Sequence, residues 1–173
     1  MEVKIIPTGG LCNRLRAIAT GVAVAKKYHC PSVIYWNNSL GLKADYCELF
    51  KPIPQDDVKL IENKKWLYNI NGNKDYLVRW PLLKTMFEQT VFNFSIYRNG
   101  DEVYSKLKKS YSRSLLLISC YPMCTKYTIQ GMFIPQDDIQ RRIDEVVAGF
   151  SERTIGVHIR RTDKCGFHSN PLH

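Results

Sequence analysis

A double glycine, Gly9-Gly10, stands between a short β-rich run and a long helix-forming segment, and this arrangement restricts the fold more than any other feature. Val3 to Ile6 favours a strand and is stopped by Pro7. From Asn13 to Tyr28 the residues are good helix formers, with Leu15, Ile18, Ala19, Val22 and Ala25 at helical spacing. Pro31 punctuates, and Val33-Ile34-Tyr35-Trp36 reads as a second buried strand. Strand, glycine turn, helix and strand in this order predict a parallel βαβ crossover.

The later segments extend the pattern. Residues 39 to 100 scatter aromatics among Asn, Lys and Gly without steady period, which predicts irregular structure with short strands and a helix. Asp101 to Ser110 reads as a helix with Val103, Tyr104 and Leu107 on one face. Leu115 to Ser119 is expected as a third strand, with a continuous apolar run Leu115–Ile118 as a sheet covered on both sides requires. Pro135 to Phe150 is a helix, with Pro at its start, Asp137 and Asp138 in its first turn, and Ile139, Ile143, Val146 and Val147 at helical spacing. Thr154 to Arg160 is expected as a fourth strand that delivers a charged loop. The fold class that follows is α/β, a Rossmann-like, doubly wound parallel sheet with flanking helices.

Composition narrows the function. The chain has 173 residues, 45% hydrophobic and 24% charged, which excludes a disordered tail, a collagen-like repeat and a coiled coil. Lys and Arg number 25 against 16 Asp and Glu, a formal charge of +9 that points to an anionic partner. The N-terminus shows no basic segment leading into an apolar core, and no apolar stretch approaches the about 20 residues of a membrane span. Six cysteines in a chain without an export signal are expected as reduced thiols, and the sequons at Asn37 and Asn93 as unused. A cytoplasmic location is the expectation.

Two motifs carry chemistry. In Gly9-Gly10-Leu11-Cys12-Asn13-Arg14 the glycines let the backbone approach a ligand, and the helix start offers unpaired N–H groups with partial positive charge. Arg14 and Arg16 add full charges, so the turn suits a phosphate or pyrophosphate, although it is neither a dinucleotide fingerprint nor a Walker loop. A strand-to-helix turn that merely needs small residues has the same sequence. The second motif is His158-Ile159-Arg160-Arg161-Thr162-Asp163-Lys164, placed at the carboxyl end of the expected fourth strand, where ligands bind in open α/β sheets. Alternation sets His158 and Arg160 on one side. An Arg fork grips phosphate oxygens in bidentate fashion, and Asp163 can orient an Arg, accept a sugar proton, or pair with Lys164. A solvated charged loop is the plain alternative. Cys120 and Cys124, with Cys165 and His168, are spaced too loosely for a zinc site. Trp36, with Asn37 and Asn38, stands at a strand end where it can stack on a base or sit in the core.

The segment from Ile155 to Lys164 resembles the first motif of the α1,6 branch of the fucosyltransferase superfamily, whose core is His-x-Arg-Arg-x-Asp. That superfamily also holds the rhizobial chitin-oligosaccharide, the α1,2- and the protein O-fucosyltransferases. Gly9 to Leu15 is similar to the Gly-rich, Asn-containing loop that opens these enzymes. The resemblance implies the amino-terminal portion of a GT-B-type, inverting, metal-independent glycosyltransferase that takes fucose from GDP-fucose to a glycan acceptor, with no cofactor. It implies that Arg160 binds the β-phosphate and helps GDP leave, with Arg161 beside it and His158 and Asp163 shaping the pocket. Gly9, Gly10, Asn13 and Arg14 fall on the donor's phosphate side. No Asp or Glu follows Asp163, so acceptor deprotonation falls to Asp163 or to a residue elsewhere.

Members of the superfamily continue into a nucleotide-sugar domain. Residues 1–153 are therefore expected as an acceptor-side α/β domain, and 154–173 as the start of a donor segment whose remainder is absent. Such a chain is expected to bind GDP weakly or not at all, and to turn over no donor alone. Nucleic acid is not an expected partner. The competing reading is a non-catalytic basic module for nucleotides or nucleic acid, which a clustered basic face and a steep salt dependence distinguish.

Overall fold

A strand paired on both sides by parallel neighbours in a covered sheet is mostly apolar on both faces, and Val3–Pro7 (β1), buried except at Lys4, occupies that position. In the computed structural model, which describes residues 1–38, 42–62, 86–107, 112–123 and 131–157, β1 leads into α1 (Leu11–Lys27), β2 (Ser32–Trp36), α2 (Tyr46–Leu49) and β3 (Val58–Glu62). Beyond residue 85 come β4 (Gln89–Phe92), α3 (Asn93–Ser105), β5 (Leu115–Ser119) and α4 (Asp137–Ala148). The five-stranded sheet runs β3-β2-β1-β5-β4, and every pairing is parallel. This is the expected α/β, Rossmann-like arrangement.

Alternation along the strands divides the core. Val3, Ile5, Ile34, Trp36, Leu115 and Leu117 join the larger cluster, with Ile18 and Val22 of α1 and Ile96 of α3. Ile6, Val33, Tyr35, Leu116 and Ile118 point to the other face and pack with Phe87. Helix α1 is buried along most of its length from Ala17 to Ala25, a run of small residues that brings the helix onto β1. A Cβ at Gly21 would stand 2.2 Å from Ile5 Cδ1. The helix ends where the His29 N–H donates to the Lys26 carbonyl and the Cys30 N–H to the Ala25 carbonyl, a Schellman turn with His29 at φ +50°.

The expected first, second and third strands are formed, and the predicted helices from Asn13 and from Pro135 are α1 and α4. Two expectations differ from the structure for physical reasons, and α4 adds an observation of its own. The helix expected from Asp101 already starts at Asn93, and its apolar period is broken by a non-helical residue, Asn99 (φ −147°, ψ 58°). Gly100 follows, where a Cβ would meet the Pro122 carbonyl at 2.7 Å. Next, α4 has no buried residue, and its stripe of Ile143, Val146 and Val147 is exposed rather than part of a core. Finally, residues 154–157 are not a strand. Ile155 and Val157 are 86% and 79% exposed, and β-prone residues need a paired neighbour to form one. Residues 158–160 of that expectation lie outside the described residues.

The chain divides into two compact units, Met1–Asp137 and Asp138–His173, with the whole sheet in the first. Among the described residues no helix is long and apolar enough to cross a membrane.

Two substitutions test this packing. Gly21→Ala overpacks Ile5 and is expected to lower unfolding free energy by about 1–3 kcal/mol in denaturant titrations, and its cost is expected to be smaller when measured in an Ile5→Ala background. His29→Gly relieves a left-handed backbone and is expected to raise stability by about 1 kcal/mol in the same assay. A loss of stability would contradict the assigned turn.

Candidate functional site

Register fixes where the polar turns emerge. Pro7 pairs with Ser119 and Trp36 with Glu62, so β1, β5, β2 and β3 end along one edge of the sheet. In open α/β sheets that carboxyl edge is the ligand-binding one. The turn after β1 and the turn after β5 lie side by side there: the Thr8 N–H donates to the Ser119 carbonyl at 2.8 Å. Ser119 Oγ accepts from the Tyr121 N–H at 2.8 Å and donates to the Tyr121 carbonyl at 2.9 Å, which folds the second turn back on itself. The Met123 N–H donates to Thr20 Oγ1 at 3.0 Å and ties that turn to α1.

Gly9 takes φ +81°, a conformation that favours glycine. A Cβ there would lie 3.3 Å from both Asn13 Nδ2 and Cys120 Cβ. Gly10 is the N-cap of α1 and has no side chain to cap it. The first intrahelical bond runs from the Arg14 N–H to the Gly10 carbonyl, so the N–H groups ahead of it face the edge without intrahelical acceptors. No acidic residue occupies the first turn, whereas Lys26 and Lys27 close the last. The helix therefore presents an undiluted positive end beside the Gly9 turn, a natural seat for an anion.

Arg14 is brought to this turn, but into the interior. It is 1% exposed, with Nε donating to the Gly9 carbonyl at 2.8 Å and Nη1 to the Asn37 carbonyl at 2.7 Å. Its guanidinium lies 4.9 Å from the centre of the Trp36 ring. Burial pushes its pKa below the ordinary arginine value, yet the group stays charged. Trp36 is fully buried, donates Nε1–H to the Ala44 carbonyl at 3.0 Å, and meets Tyr46 edge-on at 5.4 Å between centroids. It belongs to the core and offers no face to a base. Cys120 was readable only as a doubtful metal ligand, but it adjoins Gly9. Burial raises its thiol pKa, and hydrogen bonds to Tyr121 and Thr8 partly offset that rise.

Of the residues expected to form the site, Gly9, Gly10, Asn13 and Arg14 are gathered at the end of β1. His158, Arg160, Arg161 and Asp163 lie outside the described residues, as do Cys124, Cys165 and His168. Thr8, Ser119, Cys120 and Tyr121 join the turn without a sequence motif. Their one sequence clue is position, at the carboxyl ends of two buried strands.

No protein-family model matches the chain, and no curated protein sequence does. Solved structures do. A crystal structure of NodZ α-1,6-fucosyltransferase soaked with GDP-fucose superposes with a TM-score of 0.53 at 16% identity, over 85% of this chain and 54% of that one. Fucosyltransferase NodZ from Bradyrhizobium gives a TM-score of 0.51 at 15% identity, with the same coverage. NodZ co-crystallised with GDP gives 0.50 at 14%, over 85% and 55%. This likeness establishes a shared fold, and the chain spans about half the length of the structures it matches.

Gly9→Ala tests the turn. Left-handed backbone at an alanine is expected to cost about 1–2 kcal/mol in thermal or denaturant unfolding, and Gly9→Val more. An unchanged midpoint would refute the conformation assigned to Gly9.

Proposed function

We propose that the chain is part of a fucosyltransferase-like glycosyltransferase, of GT-B type, which takes GDP-fucose as donor and a glycan as acceptor. The observation that carries the reading is the fold shared with a fucosyltransferase soaked with GDP-fucose, matched over 85% of this chain. The open N-terminus of α1 beside the Gly9–Gly10 turn, on the sheet edge where such folds take ligands, supports it.

In this reading the turn and Asn13 receive the donor's diphosphate, and Arg160 and Arg161 supply the full positive charge that it needs. Sugar transfer with inversion breaks the bond between the sugar's anomeric carbon and the β-phosphate oxygen as the acceptor oxygen attacks from the opposite face. Negative charge then builds on the departing diphosphate. Guanidinium groups held in place stabilise that charge without reorganising during the reaction. His158 shapes the pocket. Asp163, or a carboxylate elsewhere, takes the acceptor's proton. The reaction requires no redox cofactor.

The reading is tested by titrating the protein with GDP and GDP-fucose, with an oligonucleotide as competitor. GDP is expected to bind weakly and to displace GDP-fucose at moderate salt, while the oligonucleotide does neither. Arg160→Ala is expected to weaken GDP binding by about tenfold or more, the loss of a charge-assisted phosphate contact. Oligonucleotide binding that falls steeply with salt, without a response to GDP, would replace this reading by that of a nucleic-acid module.

A further inference from the structure

Arg14 stands one residue beyond the three leading positions of α1, where a positive charge is expected to face an anion, and yet its side chain is buried. A guanidinium withdrawn from water is tolerated only where its N–H groups find acceptors. Here the acceptors are main-chain carbonyls of two different loops: Gly9 after β1, at 2.8 Å, and Asn37 after β2, at 2.7 Å. The Trp36 ring, 4.9 Å away, gives the guanidinium a face to lie against.

We infer that Arg14 is a positioning residue for the phosphate turn and not itself a phosphate ligand, an inference that rests on the phosphate-binding role proposed above. The reason lies in the peptide between Gly9 and Gly10. A trans peptide is planar, with its C=O and N–H on opposite sides. Gly9, at φ +81°, has glycine's freedom to rotate, so nothing in its own backbone fixes the direction of that plane. Arg14 Nε fixes it by holding the Gly9 oxygen, which turns the Gly10 N–H to the other side, away from the guanidinium. Nη1 meanwhile locks the same fork to Asn37, so the turn is referenced to two strands of the sheet rather than to one.

Lysine preserves the charge but has neither the planar fork nor the stacking face. This separates a clamp from a ligand. A phosphate ligand tolerates Arg14→Lys better than a clamp does.

The test is a titration of ¹⁵N-labelled protein with inorganic pyrophosphate, read at the backbone amides of Gly10 to Asn13 and at the Arg14 Nε–H. In the unsubstituted protein those amides are expected to shift, while the Arg14 Nε–H exchanges slowly with water and stays in place. Arg14→Lys is expected to weaken the amide response by about tenfold or more. Ile5→Val, which trims the core beneath α1, is expected to leave that response unchanged, which separates positioning from general loss of stability. An Arg14 Nε–H that moves on adding pyrophosphate, or that exchanges rapidly beforehand, overturns the clamp, as does undiminished binding by Arg14→Lys. If Arg14→Lys fails to fold, the Nε–H of the unsubstituted protein decides alone. Amides of Gly10 to Asn13 that ignore pyrophosphate, over a slowly exchanging Nε–H, bring down the proposed function and the role assigned to Arg14 within it.

Discussion

The parallel hydrogen bonding of β1 on both of its edges governs the rest of the molecule. With both sheet faces covered, four of the five residues of β1 are buried, Lys4 being the exception, and all five residues of each neighbour, β2 and β5, are buried. Parallel pairing also sends every carboxyl end to the same edge. The turns that follow β1, β2 and β5 cannot be buried in the sheet, and they converge there as a matter of topology. Helix α1 returns the chain across the larger core cluster, and its N-terminus is set down at that edge with the positive end of its dipole outward. A helix N-terminus open toward that edge is thus a by-product of covering β1.

Convergence alone does not give a defined geometry, because glycine turns are permissive. The cost of burying Arg14 is what makes the edge specific. Its guanidinium must be satisfied, and the Gly9 and Asn37 carbonyls that accept from it belong to loops far apart in sequence, which this side chain ties together. The aromatic series Trp36, Tyr46 and Phe50, with centroids 5.4 Å apart at each step, continues from the guanidinium into α2 and the core. Displacing Arg14 therefore disturbs a packed column as well as two hydrogen bonds. Tyr46 records how closed that column is, for burial and the neighbouring Glu62 carboxylate push its hydroxyl pKa up to about 12.

What was legible in the sequence follows the same physics. β1, α1, β2 and β5 were readable because full burial writes continuous apolar runs and a sustained helical period. β3 and β4 are the outer strands of the sheet among the described residues, and Val-Lys-Leu-Ile-Glu and Gln-Thr-Val-Phe carry polar residues that blur the pattern. The start of α3 was hidden because it follows β4 directly, with no proline or glycine between them, and because Asn99 interrupts its period. Thr154 to Val157 misled in the opposite direction, since β propensity expresses itself only where a partner strand offers hydrogen bonds. In the site, Gly9-Gly10 was visible from composition. The burial of Arg14 was not, since an arginine in a first turn ordinarily projects into solvent. One of its acceptors, the Asn37 carbonyl, comes from a loop that only the fold brings near.

The two kinds of arginine in the proposed site then divide its electrostatic work. A helix N-terminus carries roughly half an elementary charge. A departing diphosphate carries more than that, and main-chain N–H groups alone leave most of it unbalanced. Arg14 holds a full charge close by, but the carbonyls that fix it also orient its N–H groups inward, so its contribution to a ligand is a field rather than a contact. The direct, bidentate neutralisation that diphosphate departure calls for falls, in the proposed function, to Arg160 and Arg161 of the His158–Asp163 motif. Changes at Gly9 and Arg14 should therefore register first in binding.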